Sequence, residues 1–229
     1  MDKHTAYFNI LSALPQPGCA VCRLAHDVEV QYIRDVLYSQ TTAVNTRARL
    51  RAARGFCLYH ARQLDEIGHA LDVSIIYQDI LMTLRDVLKK ASLRPVAWRR
   101  GRIKNIRRVK LSGALAPQGP CPACAHRAEL EAVYVETWLD HLPDPEFCAR
   151  LRAADPLCLT HLRQAIEVVP SPEQFETLRE IQIAHWQPLI VELGEFVRKN
   201  DYRFHDEQVG KEGNAWIRAV DAVIGTRKL

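Results

Sequence analysis

The chain has 229 residues, of which 48% are hydrophobic and 25% are charged, and its formal net charge is +4. These proportions are ordinary for a soluble globular protein, and the length allows one large domain or two small ones. No apolar run approaches the roughly 18 residues that a membrane span needs, and residues 1–10 lack the apolar core of a signal peptide. We therefore expect a cytoplasmic protein.

Apolar periodicity predicts helices through the first part of the chain. The predicted helices cover residues 4–14, 22–38, 43–54 and 57–90. Pro15 ends the first because proline lacks an N–H donor and its ring clashes with the preceding turn, and Gly55 ends the third. Gly68 lies inside the longest stretch, where we expect a bend.

A basic stretch follows these helices. Residues 94–110 contain eight basic residues and no acidic one, so the total of +4 less these eight charges leaves −4 for the rest of the chain. The basic residues are Arg94, Arg99, Arg100, Arg102, Lys104, Arg107, Arg108 and Lys110. Apolar residues recur every three positions among them, so an amphipathic helix that binds the phosphates of nucleic acid or lipid is one hypothesis. We favour the alternative of a solvated linker that rests on the acidic remainder.

The second part repeats the plan after a breaker-rich segment at residues 112–120. Its predicted helices cover residues 122–141, the segment from the turn at 143–145 to 154, then 158–169, 171–200 and 215–224. Ser171 and Gln174 form a predicted capping box on the longest of them, which we expect to kink near Pro188. No segment alternates like a strand for long, so the predicted fold class is all-α.

Two kinds of cysteine motif recur at nearly equal spacing. The C-x2-C motifs are Cys19-Ala20-Val21-Cys22 and Cys121-Pro122-Ala123-Cys124, and the C-x2-H motifs are Cys57-Leu58-Tyr59-His60 and Cys158-Leu159-Thr160-His161. The spacer from each C-x2-C to the next C-x2-H is 34 residues in the first copy and 33 in the second. The chain is therefore an internal duplication. We predict a first module over residues 1–93, a basic linker over 94–118 and a second module over 119–229.

The duplication separates candidate ligands from other residues, because ligands should recur in both copies. Of seven cysteines only Cys148 lacks a counterpart, and of nine histidines only His60 and His161 align with each other. The candidate metal ligands are Cys19, Cys22, Cys57, His60, Cys121, Cys124, Cys158 and His161. Some other residues recur as well, among them Glu29 with Glu131 and Leu37 with Leu139.

Three thiolates and one imidazole are a common closed ligand set for zinc, which prefers four ligands in a tetrahedron. A disulfide framework is disfavoured because the cysteine count is odd and the expected compartment keeps thiols reduced. We predict two structural zinc ions per chain, because four protein ligands leave no position for a substrate. No catalytic motif is found. The favoured function is an adaptor or regulatory binding module with an unknown protein partner.

Two alternatives stay open at this level. An iron–sulfur protein in electron transfer or redox sensing is the main one, since histidine replaces cysteine in some clusters. The second concerns the grouping of ligands: each site forms within one repeat, or Cys19 and Cys22 share a metal with Cys158 and His161 of the other repeat. The entropy of loop closure rises only with the logarithm of loop length, so it does not decide between these groupings.

The chain also resembles a known family. The motifs that carry the resemblance are the paired CxxC…CxxH modules, Gly55-Phe56-Cys57, Asp201-Tyr202-Arg203-Phe204 and the segment from Trp216 to Gly225. They are similar to those of an uncharacterised bacterial protein family of unknown function with two such modules. The resemblance covers nearly the whole chain and implies a bacterial, cytoplasmic, helical protein with paired metal motifs.

Overall fold

The computed structural model of the protein describes residues 1–91, 106–204 and 206–226. These residues form α-helices and one short 3-10 helix, Lys211–Asn214, with no β-strand among them. The helices are α1 (Lys3–Ala13), α2 (Ala20–Ser39), α3 (Val44–Ala53), α4 (Leu58–Ile67), α5 (Ala70–Lys90), α6 (Ile106–Leu115), α7 (Pro122–Asp140), α8 (Pro145–Ala153), α9 (Leu159–Val168), α10 (Pro172–Lys199) and α11 (Ala215–Ile224). The all-α prediction is confirmed.

Side chains cap several of these helices where the sequence placed their ends. The Ser171 hydroxyl accepts a hydrogen bond from the backbone N–H of Gln174 at 3.2 Å, which is half of the predicted capping box. Asp2 does the same for Thr5 at the start of α1, at 2.8 Å. Each such cap satisfies a backbone donor that has no partner inside the helix and stabilises the fold by about 1 kcal/mol.

Two segments differ from the predicted helices. The stretch over residues 57–90 is broken rather than bent, because Gly68 and His69 adopt positive φ angles of 85° and 69° between α4 and α5. In contrast, α6 continues through Gly113, inside the segment predicted as a breaker-rich boundary. A glycine inside a helix costs only about 1 kcal/mol, and α6 packs against α5, which offsets that cost. Helix α10 contains Pro188, in agreement with the single long helix predicted over 171–200.

The chain divides into two compact units that do not follow the two halves of the sequence. The first unit contains Met1–Val28 and Ala128–Leu229, and the second contains Glu29–Arg127. Consequently, the C-x2-C motif of the first half belongs to the same unit as the C-x2-H motif of the second half. The C-x2-H motif of the first half and the C-x2-C motif of the second half both belong to the other unit. The module boundaries at 93 and 119 come from sequence repetition and stay a prediction.

Each unit has its own apolar core, and equivalent positions of the repeat occupy both. Leu139 and Leu151 are buried in the first unit with 2% and 1% of their surfaces exposed. Their counterparts Leu37 and Leu50 are each 1% exposed in the core of the second unit. Burying one such leucine contributes about 1.5–3 kcal/mol, so these leucines stabilise the cores of both units.

Most of the basic stretch lies outside the described residues. Arg94, Arg99, Arg100, Arg102 and Lys104 lie outside the described residues, as do the side chains of Arg107 and Arg108, whereas Lys110 is exposed at α6. The choice between a nucleic-acid site and a solvated linker therefore stays a prediction. In the described part of the chain, no helix has both the length and the apolar character that crossing a membrane requires.

Candidate metal centres

The eight candidate ligands come together in two groups of four. Within each group the ligand atoms all lie within 4.8 Å of one another. The buried cluster consists of Cys19, Cys22, Cys158 and His161. The accessible cluster consists of Cys57, His60, Cys121 and Cys124. Each cluster lies inside one compact unit.

Both clusters join a C-x2-C motif of one repeat to the C-x2-H motif of the other. The buried cluster takes Cys19 and Cys22 from the first half and Cys158 and His161 from the second. This is the arrangement across the repeats that the sequence left open beside the arrangement within each repeat. The two Cys3His clusters of the predicted fold class are therefore present, and each contains residues from both copies.

All four motifs lie at helix N-termini. The C-x2-C pairs open α2 and α7, while Cys57 and Cys158 are the N-cap residues of α4 and α9. These two caps have nearly the same backbone angles, φ −66° and ψ 166° for Cys57 and φ −68° and ψ 165° for Cys158. Residues three apart lie on one face of a helix, and the helix N-terminus stabilises thiolates. The local sequence therefore aims both members of a motif at one point.

The spacing of the ligand atoms in the buried cluster fits a single tetrahedral ion. Nδ1 of His161 lies 3.5, 3.4 and 3.2 Å from Sγ of Cys19, Cys22 and Cys158, and the Sγ atoms of Cys22 and Cys158 are 3.5 Å apart. Ligands bound tetrahedrally to zinc at about 2.3 Å (sulfur) and about 2.0 Å (nitrogen) are about 3.8 Å (S···S) and about 3.5 Å (S···N) apart. The observed distances are close to both values.

The accessible cluster has the same geometry. Nδ1 of His60 lies 3.3, 3.5 and 3.4 Å from Sγ of Cys57, Cys121 and Cys124. The Sγ atoms of Cys57 and Cys124 are 3.7 Å apart. Both histidines therefore present Nδ1 to the thiols, and both clusters offer the same four-atom ligand set.

A buried glutamate contacts the other nitrogen of each histidine. Nε2 of His60 lies 3.2 Å from Oε2 of Glu29, and Nε2 of His161 lies 3.3 Å from Oε1 of Glu131. Carboxylates in this position fix the orientation and tautomer of a metal-binding histidine. The sequence shows that Glu29 recurs as Glu131. It does not show that these glutamates contact the histidines, because that contact joins different helices.

The surroundings of Glu29 keep its carboxylate charged. The hydroxyl of Tyr59 and Nη1 of Arg127 donate hydrogen bonds to it at 2.8 and 2.9 Å. Burial by itself would raise the pKa of Glu29, but the hydrogen bonds with His60 and Tyr59 and the charge of Arg127 lower this pKa to about 2. The glutamate is therefore an acceptor at neutral pH, as a histidine that donates from Nε2 requires.

The contacts within each cluster favour a protonated imidazole beside a thiolate. Burial opposes the charge of His60, but hydrogen bonds with Cys121 and Glu29 raise the pKa of His60 to about 10. Hydrogen bonds with Cys158 and Cys22 likewise raise the pKa of His161 to about 11 against the effect of burial. Metal binding requires neutral imidazole and deprotonated thiols, so it must release these protons.

The three thiols of a cluster do not share this charge equally. In the accessible cluster, burial acts against ionisation, but the hydrogen bond with His60 lowers the pKa of Cys121 to about 6. Burial and the neighbouring Cys57 raise the pKa of Cys124 to about 12. In the buried cluster, hydrogen bonds with Cys19 and Cys22 lower the pKa of Cys158, and the pKa of Cys19 is raised. A divalent cation is the group that would allow all three sulfurs to be thiolates at once.

The two clusters differ in what covers them. The four residues of the buried cluster are 3%, 6%, 1% and 1% exposed. Two residues that follow α11 lie against them: Thr226 accepts a hydrogen bond from the backbone N–H of Cys19 at 2.8 Å, and Gly225 packs so closely that a Cβ there would lie 3.0 Å from Sγ of Cys22. In the accessible cluster only His60 is buried, and Cys124 is exposed.

The residues that the repeat marked as bystanders lie outside both clusters. Cys148 packs beside the core of the first unit. His126 stacks on Tyr32 with ring centroids 4.7 Å apart, and His69 packs edge-on against Tyr38 at 3.9 Å. The two histidines have aromatic partners and do not face the convergent sulfurs.

Comparison with known proteins identifies the family of this chain. Residues 9–228 match the model of a family described as "Family of unknown function (DUF6062)". The chain belongs to this family. The DUF6062 chain is also 26% identical over 211 residues to "Uncharacterized 23.9 kDa protein in xynA 3'region" of Caldicellulosiruptor sp. (strain Rt8B.4), which covers 91% of this chain and 96% of that protein. No solved structure matches. The resemblance to a bacterial family of unknown function is thus confirmed.

Proposed function

We propose that this DUF6062 chain binds two zinc ions as structural centres, one in each cluster, and acts as a cytoplasmic adaptor or regulatory binding module. The observation that carries the proposal is the convergence of three thiols and one imidazole nitrogen at tetrahedral spacing, twice, from motifs far apart in the chain. Cys22 and Cys158, for example, are 136 residues apart in sequence. Chance packing would not bring the same ligand set together at both places.

The compactness of each ligand set supports one ion rather than an iron–sulfur cluster. All four ligand atoms lie within 4.8 Å of one another, so they surround a single point. In clusters with several irons, the protein ligands bind different iron atoms and are spread around the outside of the cluster. The spacing therefore favours a mononuclear site, for which Cys3His is a common zinc set.

A structural role follows from the complete ligand shell. Four protein ligands occupy all positions of tetrahedral zinc, so no site remains for water or a substrate. The apparent binding energy of structural zinc, about 10–16 kcal/mol, is comparable to the whole stability of a domain, about 5–15 kcal/mol. We propose that each ion contributes to folding rather than to a reaction.

An exposed apolar surface supports the role as a binding module. Helix α11 is rich in apolar residues, and Trp216, Val223 and Ile224 remain 51%, 54% and 60% exposed. Such grouped exposure is typical of surfaces that bind a partner. We propose that the exposed apolar side chains of α11 form the surface that binds the partner.

Metal analysis together with an absorption spectrum tests the zinc assignment on protein purified without oxygen. We expect about two zinc ions per chain and no visible absorption, because Zn²⁺ has a filled d shell. Iron with equimolar or greater acid-labile sulfide, and a broad visible band, would replace the proposal with the iron–sulfur alternative. Metal-free protein that is folded and stable would remove both.

A further inference from the structure

The two clusters have the same ligands but differ in access from solvent. Gly225 and Thr226 lie against the buried cluster, and its three thiols are 3%, 6% and 1% exposed. The accessible cluster presents an exposed Cys124 and a half-buried Cys57. The duplication therefore produces two chemically matched sites in which accessibility is the main difference.

We infer that the accessible cluster is a peroxide-sensitive zinc site, in which oxidation joins Cys57 to Cys124 and releases the metal while the buried cluster keeps its own. This inference rests on the proposed zinc function and adds a mode of regulation to it. The two sulfurs lie 3.7 Å apart on the N-termini of α4 and α7. They need to approach to about 2.05 Å to form a disulfide, a shift of less than about 2 Å in total.

The oxidation balances with a hydroperoxide as the oxidant. Bound zinc would keep Cys124 deprotonated despite its raised pKa. This thiolate attacks one peroxide oxygen, so the O–O bond breaks, a sulfenic acid forms on Cys124 and hydroxide leaves. The Cys57 thiolate then attacks the Cys124 sulfur, so the S–S bond forms, the S–O bond breaks and a second hydroxide leaves. The two thiolates lose two electrons and the peroxide gains two. Two protons from solvent convert the hydroxides to water.

Metal release follows from the loss of ligands. The disulfide removes the thiolates of Cys57 and Cys124 from the four ligands. The remaining Cys121 and His60 are an incomplete ligand set for zinc. A dithiol reductant reverses the change by thiol–disulfide exchange and restores the site. The state of the accessible cluster would thus depend on the balance of peroxide and thiol around the protein.

Accessibility rather than proximity distinguishes the clusters. The Sγ atoms of Cys22 and Cys158 in the buried cluster are 3.5 Å apart, closer than those of Cys57 and Cys124. If sulfur–sulfur distance set the reactivity, the buried cluster would react first. Because oxidation requires contact with the oxidant, we expect the opposite order.

The test uses the full chain loaded with zinc and treated with hydrogen peroxide in the presence of a zinc-binding dye. We expect one zinc per chain to be released, about tenfold or more faster than the second. The mass should fall by about 2 Da. Peptide mapping should locate the disulfide between Cys57 and Cys124, with the three thiols of the buried cluster still open to alkylation after denaturation. A dithiol should restore zinc binding.

Cys148→Ser is the matched control, since it removes the thiol that lies outside both clusters. We expect the same release of one zinc from this variant. Release of both ions at equal rates, release of neither, or a disulfide between Cys22 and Cys158 would overturn the inference. Each of these results would still be compatible with the proposal of two structural zinc ions per chain. A chain that carries no zinc before treatment would instead contradict the proposed function.

Discussion

Glu29 and Glu131 show how single residues complete the candidate metal sites. Each contacts Nε2 of the histidine whose Nδ1 faces the thiols, at 3.2 and 3.3 Å. Each carboxylate lies on the side of the imidazole that faces away from the thiols, so each acts through its histidine. Their recurrence at equivalent positions matches that of the ligands themselves.

Replacing Glu29 with glutamine should weaken zinc binding at the accessible cluster without unfolding the protein. Glutamine keeps the shape of the side chain but removes the charge that orients His60, and loss of such a partner typically lowers metal affinity about 10–100-fold. Competition with a chromophoric chelator measures the affinity of each site. Glu129→Gln is the control, because Glu129 is an exposed carboxylate on the same helix as Glu131. Equal affinities in Glu29→Gln and wild type would show that the contact does not support the metal.

At the scale of elements, a partly buried ion pair holds the segment that leads into α11. Nζ of Lys199, at the end of α10, lies 2.8 Å from Oε1 of Glu212 in the 3-10 helix. The backbone N–H of Gly210 donates to the same oxygen at 2.8 Å. The hydrogen bonds with Lys199 and the backbone lower the pKa of Glu212 to about 2.

This pair gives a pH dependence with a defined sign. Because the pKa of Glu212 is lower in the folded protein than its usual value near 4.5, its contribution to stability is complete above about pH 4.5 and is lost as the pH falls toward 2. Glu212→Gln should therefore be less stable than wild type at pH 7, and the difference should shrink below pH 4.5. Urea unfolding of both proteins at several pH values measures this. A constant difference would show that the charge of Glu212 has no such role.

Equivalent core positions predict equal costs of truncation. Leu50 and Leu151 recur in the two repeats, and each is 1% exposed in the core of its unit. Leu50→Ala and Leu151→Ala should each lower the free energy of unfolding by about 2–5 kcal/mol, because each leaves a cavity. Leu71→Ala is the control, since Leu71 is 73% exposed. Its cost should stay within about 0.5 kcal/mol in a denaturant titration. A similar cost for all three variants would contradict the described cores.

At the scale of the whole molecule, the metal ligands tie together distant parts of the chain. The contact between Cys22 and Cys158 spans 136 residues, and that between Cys57 and Cys124 spans 67. A cross-link over the longer span restricts the unfolded chain by up to about 5 kcal/mol according to the loop-closure relation. We therefore expect removal of zinc to lower the melting temperature strongly.

Double variants distinguish ligand sets across the repeats from sets within them. Cys19→Ser with Cys158→Ser removes two ligands of one cluster. The zinc content should fall by about one ion per chain, because the other cluster keeps all four ligands. Cys19→Ser with Cys57→Ser removes one ligand from each cluster and should weaken both sites. Ligand sets within each repeat would reverse these two results. Metal analysis of the purified variants measures the outcome, and Cys148→Ser should retain both ions.

Much of this protein was predictable because its determinants are local. Helical periodicity, Gly55 before Cys57 and the Ser171 cap depend on neighbours within a few residues, so the sequence predicted most helices correctly. The sequence predicted a bend at Gly68, whereas the helix is interrupted there because Gly68 and His69 both adopt positive φ. The positive φ of His69 was not predicted from its residue type. The helix through Gly113 was missed because packing against α5 overrides a weak local preference.

The sequence by itself determined the helical class, the family and the eight candidate ligands, because a duplicated motif marks its ligands by recurrence. Only the tertiary structure decided which motifs meet. Cys22 is 35 residues from Cys57 and 136 from Cys158, and loop closure distinguishes these separations by only about 1 kcal/mol. Core packing of the two units exceeds that difference many times over. The same packing places Gly225 and Thr226 against one cluster and leaves Cys124 of the other exposed to solvent.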